Sequence, residues 1–293
     1  KLNKNGFKLN SDFFKPKILL KSFTIENQQP KINPMVDFIK LEALLGIKKP
    51  TNPLAPSQQQ MDLAKSLQTV FELTANHLLK VLASKTGQRN LAVAGGCAHN
   101  SVWVGQVLKN SPFKSIVTPA ACHDAGIAIG AARLANNRPI SYKTEHPSLL
   151  GPDINSSEKF NPEDYPHFER SIDNQKELIE FITSKVIDQK ILGLYQGRLE
   201  FGPRALGNRS IIADPRSNQM KEILNTRVKH REWFRPFAAS VLKDQQHHWF
   251  ENTYDAPNME AVFVVKPSCR PLIPAVVHHD QTCRIQSVSQ KSQ

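Results

Sequence analysis

The chain has 293 residues and carries 38 lysines and arginines against 26 aspartates and glutamates, a formal net charge of +12 at pH 7. This balance favours an anionic partner, such as a phosphorylated small molecule or a nucleic acid. The distribution of apolar residues excludes an integral membrane protein, because no apolar run approaches the roughly 20 residues that span a bilayer. The first residues also lack the apolar core of a signal peptide.

The cysteines bear on the cellular compartment of the protein, and the first residue bears on whether the sequence is complete. Cys97, Cys122, Cys269 and Cys283 show no CxxC spacing, so they indicate neither a zinc knuckle nor a disulfide framework. We therefore expect a cytoplasmic protein with no membrane partner. The chain begins at Lys1 without an initiator methionine, and we expect it to be part of a longer protein.

A long helix is the first element that the sequence predicts. Residues 1–55 are rich in Lys, Asn and Pro and form a poorly defined leader. Ser57 then opens an S-x-x-Q pattern, which is typical of a capping box at a helix N-terminus, and Gly87 is the expected end. Apolar residues at helical spacing form one face: Leu63, Leu67, Val70, Phe71, Leu78, Val81 and Leu82.

Strands and helices alternate after this helix, which is typical of an α/β fold with parallel strand pairs. We expect two domains, 56–140 and 176–293, joined by a polar linker over 141–175. The first holds a strand, a Gly-Gly turn and a helix over 91–108, a strand over 115–119 and a helix over 124–135. The second holds a helix over 176–187, strands over 191–195 and 210–214, and a helix over 217–229 with Met220, Ile223, Leu224 and Val228 inward.

An arginine-rich segment, RLEFGPRALGNRSIIADPR, covers residues 198–216. Its cations are Arg198, Arg204, Arg209 and Arg216, and the absence of lysine suggests that the planar guanidinium fork is needed. Glycine-containing turns in such a loop can direct backbone N–H groups and guanidinium groups towards a phosphate or carbamoyl phosphate. The alternative is a solvated basic surface, which is common for Arg-rich loops. Interleaved apolar residues and a second basic block at 226–237 favour the binding site.

Two further features carry candidate chemistry. Gly95, Gly96 and Asn100 lie in GGCAHN, in a predicted turn before a helix. Such a turn can hold a nucleotide phosphate or ribose, or it can be a tight turn with no binding role. Asp124 follows a predicted strand, so it is either a helix N-cap or a carboxylate that handles metal or phosphate. The ten histidines include no HExxH or HxxxH pattern.

These motifs resemble one enzyme family. QGRLEFGPRALGNRSIIADPR, VKHREWFRPFAASVL and IPAVVHHDQTCRIQSV are similar to the C-terminal part of the O-carbamoyltransferases of nodulation-factor and antibiotic biosynthesis. NLAVAGGCAHN and PAACHDAGIAIGAA resemble the second half of that family's N-terminal domain. The resemblance covers about residues 55–290 and implies the end of an actin-like (ASKHA-type) domain followed by an incomplete threonylcarbamoyl-AMP-synthase-like α/β domain.

The resemblance also implies an activity and its residues. Such enzymes form a carbamoyladenylate from carbamoyl phosphate and ATP, then transfer the carbamoyl group to a hydroxyl of a small-molecule acceptor with an iron-type metal, Fe(II) or similar. The arginines of 198–216 would clamp phosphate oxygens. The implied roles of the other residues are catalytic for Lys229 and Arg235, cofactor-binding for Gly95, Gly96, Asn100 and Arg284, and metal-ligating for Asp124.

The sequence departs from the family pattern around this aspartate. The family motif runs Pro-Ala-Ala/Ser-Gly-Asp, whereas this chain has Cys122 and His123 before Asp124. The family's metal-binding histidine pair belongs to an upstream half-domain that these residues do not include, so we expect only weak binding of Fe(II) here.

Two other classes of function stay open. The first is a basic nucleotide- or RNA-binding module without catalysis, although few aromatic residues accompany the arginines and a nucleic-acid partner is therefore unexpected. The second is a non-catalytic remnant that mediates assembly. A homodimer is compatible with each of these readings.

Overall fold

The structure is a computed structural model that describes residues 2–3, 6–7, 23–26, 29–32, 38–48, 52, 54–136, 148–152, 172 and 174–289. The chain forms two compact units, Lys1–Arg89 with Asn110–Pro112, and Asn90–Lys109 with Phe113–Gln293. None of the described helices combines the length and the apolar character that a membrane crossing requires.

The described residues of the first unit form two short hairpins and two helices. Each hairpin pairs neighbouring strands in antiparallel fashion. Its elements are β1 (Leu2–Asn3), β2 (Gly6–Phe7), β3 (Phe23–Glu26), β4 (Gln29–Ile32), α1 (Phe38–Leu45) and α2 (Gln58–Thr86).

The ends of α2 confirm the sequence prediction. The Ser57 hydroxyl accepts a hydrogen bond from the Gln60 backbone N–H, and the Gln60 side chain accepts one from the Ser57 N–H. Gly87 ends the helix at φ +66°, a conformation that glycine adopts without steric cost. The predicted apolar face is not buried, since Leu67 is 70% exposed and Leu79 is the one buried residue of α2.

The second unit is a mixed α/β assembly of small sheets. Its described helices and strands are β5 (Asn90–Ala92), α3 (Ser101–Asn110), β6 (Ser115–Val117), α4 (Gly126–Asn136), α5 (Gln175–Ile187), β7 (Leu192–Tyr195), β8 (Arg209–Ile212), α6 (Met220–Ile223), β9 (Ala238–Leu242), α7 (Gln246–Trp249), β10 (Val262–Val264) and β11 (Thr282–Val288). The strands β5 and β6 are parallel and β7 and β8 are antiparallel, while a third sheet has the strand order β10, β11, β9.

The central strand of the third sheet, β11, separates an apolar face from a polar one. Cys283 and Ile285 have no exposed surface and pack into the core. Arg284 and Gln286 alternate with them and therefore point to the opposite face. On that face they lie beside Ala238 and Ser240 of β9, with which they are in parallel register.

Most predicted elements of the second unit are confirmed. The strands predicted at 115–119, 191–195 and 210–214 correspond to β6, β7 and β8, and the helix predicted at 176–187 corresponds to α5. Parallel pairs are also present, in β5 with β6 and in β9 with β11.

The predicted helix over 217–229 is wrong in its second half. The α-helix ends at Ile223, and Leu224–Val228 form a π turn. The wider turn changes which side chains face inward. Met220 and Leu224 are buried as predicted, but Val228 is 37% exposed, and the polar Asn225 is fully buried.

The compact units divide after Arg89, so residues 90–109 and 113–136 share a unit with the C-terminal residues. Much of the predicted linker at 141–175 and of the predicted leader at 1–55 lies outside the described residues. The division into the domains 56–140 and 176–293 stays a prediction.

Candidate functional site

A cavity of about 650 Å³ lies against the polar face of the third sheet. The floor is formed by β9 and β11, which contribute Ser240, Arg284 and Gln286. Five of the residues that line it are cations: Arg204, Lys221, Lys229, Arg231 and Arg284. Such a concentration of positive charge is typical of a site for an anion.

Asp214 is the one carboxylate among the described residues that line this cavity, and its charge is already paired. It is 1% exposed and accepts hydrogen bonds from Nε and Nη2 of Arg216, at 2.9 and 2.6 Å. The hydrogen bonds from the Arg216 side chain hold the pKa of Asp214 below its ordinary value, although burial opposes them. The charge of Asp214 is therefore compensated by Arg216 rather than by the cations of the cavity.

Arg284 is the cation that most clearly lacks a partner. Its Nε atom is buried and finds no hydrogen-bond acceptor among the described residues. Burial, together with the nearby charges of Arg204 and Arg231, lowers the pKa of Arg284 to about 10. Because a buried cation without a counter-ion is unfavourable, an anion in the cavity would stabilise it.

Arg204 lies at the edge of the same cavity and forms hydrogen bonds with two segments that are distant from it in sequence. Its Nη2 donates to the carbonyl oxygen of His99 at 3.0 Å, and its Nη1 donates to the carbonyl oxygen of Met259. Burial lowers the pKa of the guanidinium, whereas the carboxylate of Glu260 raises it. Glu260 itself is 7% exposed, and burial raises its pKa to about 7.

The loop that carries Arg204 is organised by the carboxylate of Glu200. One oxygen of Glu200 accepts hydrogen bonds from the backbone N–H groups of Leu206 at 3.0 Å, Asn208 at 2.7 Å and Arg209 at 3.3 Å. Burial opposes ionisation of Glu200, but these N–H groups leave its pKa below the ordinary value.

A second contact fixes this loop to the sheet. Gln286 donates from Nε2 to the carbonyl oxygen of Leu206 at 2.7 Å, and its Oε1 accepts from the hydroxyl of Ser240 at 3.0 Å. On its other side the loop approaches Ala120 closely at Gly202. Only glycine fits there, since Gly202 has φ +149° and a Cβ would lie 2.9 Å from the carbonyl oxygen of Ala120. The loop is thus held in place from both sides.

The second basic block contributes Lys229 and Arg231 to the cavity. The Arg231 guanidinium stacks over the ring of Phe237, with its Cζ 4.7 Å from the ring centroid. Arg235, which the sequence also predicted to be catalytic, is not among the lining residues and pairs with Glu232 at 2.6 Å.

Three of the four arginines of the segment 198–216 contact other groups instead. Arg198 donates from Nε to the carbonyl oxygen of Gly151 at 3.1 Å. Arg209 donates to the carbonyl oxygen of Gln196 at 2.7 Å and covers the ring of Tyr195. With Arg216 paired to Asp214, Arg204 is the arginine of the segment that lines the cavity.

The predicted cofactor residues near the N-terminal end of α3 lie beside the cavity rather than in it. Gly95 and Gly96 are exposed and have open space where a Cβ would stand. Asn100 accepts a hydrogen bond at Oδ1 from the backbone N–H of Trp103 at 3.2 Å, which satisfies one donor at the start of α3. The neighbouring His99 does line the cavity.

His99 belongs to a small polar cluster with Cys122 and His123. The Sγ atom of Cys122 lies 3.3 Å from Nδ1 of His99, and the two imidazole centroids are 5.0 Å apart. Burial, together with the charges of Arg204 and His123, lowers the pKa of His99. These surroundings therefore favour the neutral form of the imidazole at the cavity edge.

Asp124 is exposed and precedes α4, which begins at Gly126. Among the residues that the structure describes, no three His, Cys, Asp or Glu side chains are grouped so that they could hold a metal ion. The described residues therefore do not fit an Fe(II) site of several ligands.

Several residues of the site were missed from sequence. Arg231 lies two positions from the predicted Lys229, and Glu200 is the one acid in the arginine loop up to Asp214, so both were visible in the motifs. His99 lies within the quoted GGCAHN. Glu260 and Gln286 gave no local signal, because their interactions with the arginine loop involve Arg204 and Leu206, which lie 56 and 80 positions away in the chain.

Two family models match the chain. The carbamoyltransferase N-terminus matches residues 21–133, and the carbamoyltransferase C-terminus matches residues 183–293. The chain therefore belongs to the carbamoyltransferase family. His99 comes from the first matched region and the five cavity cations from the second.

Curated relatives include several nodulation proteins. The chain is 39% identical over 245 residues to nodulation protein NolNO of Sinorhizobium fredii, covering 80% of this chain and 35% of the relative. It is 36% identical over 247 residues to nodulation protein NolO of Bradyrhizobium diazoefficiens, covering 80% and 44%. It is 33% identical over 247 residues to nodulation protein U of Rhizobium tropici, covering 84% and 40%. The chain spans less than half the length of these relatives.

Proposed function

We propose that the chain is the part of an O-carbamoyltransferase that binds carbamoyl phosphate and ATP and forms a carbamoyladenylate. The carbamoyl group then passes to a hydroxyl of a small-molecule acceptor. One observation carries the proposal: the Nε atom of Arg284 is buried without a hydrogen-bond partner among the described residues, and this guanidinium lies near two other arginines in a cavity lined by five cations. Family membership supports the same activity.

The reaction requires what this cavity offers. Water cleaves inorganic phosphate from carbamoyl phosphate, and an oxygen of the resulting carbamate bonds to the α-phosphorus of ATP as pyrophosphate leaves. Apart from water, every reactant and product of these steps is an anion. Guanidinium groups bind phosphate oxygens in pairs and stabilise the negative charge that develops during transfer. Arg284, Arg204 and Arg231 would bind these oxygens, with Lys229 and Lys221 adding charge.

Other assignments belong to the same proposal. Residues 56–140 would be the end of an actin-like domain and 176–293 a threonylcarbamoyl-AMP-synthase-like domain. Gly95, Gly96 and Asn100, close to His99, would contact the adenylate. Asp124 would supply one ligand to a metal such as Fe(II), and the protein would act in the cytoplasm. Because the described residues do not fit a complete metal site, no step is assigned to the metal.

Isothermal titration of inorganic pyrophosphate into the 293-residue chain tests the anion site. Arg284→Gln should weaken binding about 10-fold or more, since a factor of ten corresponds to roughly 1.4 kcal/mol, the value of one modest charged hydrogen bond. Arg227→Gln is the matched control, because Arg227 is exposed and outside the cavity lining. Equal affinity of the Arg284 variant and the unaltered chain would contradict the proposal.

A further inference from the structure

Asn225 is a fully buried polar residue that lies behind the cavity, in the π turn Leu224–Val228. A buried amide must satisfy its donors and acceptors within the protein. The hydrogen bond that defines this turn runs from the Lys229 N–H to the carbonyl oxygen of Leu224, five residues earlier, at 2.8 Å. This wider turn places the Asn225 side chain in the interior.

The side chain and the backbone carbonyl of Asn225 contact the segment 231–235. Its Nδ2 donates to the carbonyl oxygens of Trp233 at 3.1 Å and Arg235 at 3.0 Å. Its Oδ1 accepts from Nε of Arg231 at 2.8 Å, and its backbone carbonyl accepts from the Arg231 N–H at 3.0 Å. One side chain thus fixes both the backbone of this segment and the Arg231 guanidinium.

The Arg231 side chain is held on two sides. The Asn225 amide binds its Nε, and the Phe237 ring lies under its Cζ at 4.7 Å. An arginine loses much side-chain entropy when it is immobilised. Contacts that immobilise it before a ligand arrives remove that penalty from the binding step.

We propose that Asn225 is a positioning residue for the cavity, which holds the Arg231 guanidinium where it contacts a bound phosphate group. The inference rests on the proposed function, because it requires that the cavity binds phosphate. Asn225 itself does not line the cavity, so its effect on a ligand passes through Arg231.

A double-mutant cycle tests this role with inorganic pyrophosphate as the probe. Asn225→Ala and Arg231→Gln should each weaken binding about 10-fold, the change expected for one charged contact. The double variant should bind no more weakly than Arg231→Gln alone, since both changes remove the same interaction. A loss that adds across the two sites, or an unchanged affinity in Asn225→Ala, would overturn the proposal.

Two further variants separate positioning from general destabilisation. Asn174→Ala removes the N-cap of α5, which should lower the thermal midpoint and leave pyrophosphate affinity unchanged. Asn225→Asp is nearly isosteric and decides the matter if Asn225→Ala does not fold. Its carboxylate would neutralise Arg231, so affinity and its salt dependence should both fall; wild-type values of both would overturn the proposal.

The binding measurements distinguish an error in this inference from an error in the proposed anion site. If Arg284→Gln loses affinity while Asn225→Ala and Asn225→Asp do not, the cavity binds phosphate and Asn225 does not position Arg231. If Arg284→Gln keeps its affinity, the proposed function itself is contradicted.

Discussion

The guanidinium of Arg204 donates to the backbone carbonyl of His99 across 3.0 Å, although the two residues are 105 positions apart. This contact joins the two regions that the carbamoyltransferase family models match, whereas the bond to Met259 lies within the C-terminal one. Arg204 therefore has a structural role at the edge of the cavity as well as the ligand-binding role that we propose.

Replacing Arg204 with lysine should expose both roles. Lysine keeps the charge but loses the planar fork, so the His99 and Met259 carbonyls cannot both keep their donor. We expect a loss of about 1–3 kcal/mol in the free energy of unfolding and weaker pyrophosphate binding. Urea denaturation and calorimetric titration measure the two effects, with Arg227→Lys as the control. Unchanged values of both would contradict the structural role of the fork.

Gly105 of α3 should not tolerate alanine. A Cβ at this position would lie 2.1 Å from the carbonyl oxygen of Val262, a backbone atom of β10 that cannot move alone. We expect destabilisation of about 1–3 kcal/mol, as in other overpacked sites. Gly130→Ala in α4 is the matched control, because nothing lies within 4 Å of its Cβ position and alanine favours the helix by about 1 kcal/mol. Equal thermal midpoints in the two variants would contradict this packing.

Glu260 should make stability depend on pH. Its pKa is about 7 in the folded protein, above the ordinary 4.5, so the folded state holds more protons between these values. The free energy of unfolding should therefore fall as pH rises through this window and stay low above it. Between pH 6 and pH 8, Glu260 should account for a loss of roughly 1 kcal/mol.

Glu260→Gln isolates this contribution, because glutamine keeps an acceptor for the Asn258 N–H without titrating. The stability difference between pH 6 and pH 8 should shrink in this variant. Glu222→Gln, on an exposed position of α6, should behave as the unaltered chain does. If Glu260→Gln shows the same pH dependence as the unaltered chain, Glu260 does not titrate in this window.

Sequence reasoning succeeded where the determining contacts are local. The limits of α2 follow from Ser57, Gln60 and Gly87, which all act within one helical turn of the ends. The positions of β6 and β7 follow from short apolar runs.

It was incomplete where the contacts are distant or the backbone is irregular. The amphipathic pattern over 217–229 predicts a continuous helix, and the π turn that buries Asn225 is visible only in the structure. The arginines of 198–216 share one motif, yet their partners lie on different segments, so the motif alone does not say which of them lines a cavity. Arg284 entered the prediction through family resemblance, and its burial beside Arg204 depends on the register of β11 with β9.

Exchange of labelled pyrophosphate into ATP tests the central claim most directly, because formation of a carbamoyladenylate releases pyrophosphate from ATP reversibly. With the 293-residue chain, we predict exchange when carbamoyl phosphate is present and none when it is absent. Arg284→Gln should abolish it, and Arg227→Gln should retain it. Exchange that proceeds equally without carbamoyl phosphate, or that persists in Arg284→Gln, would contradict the claim that this cavity activates the carbamoyl group.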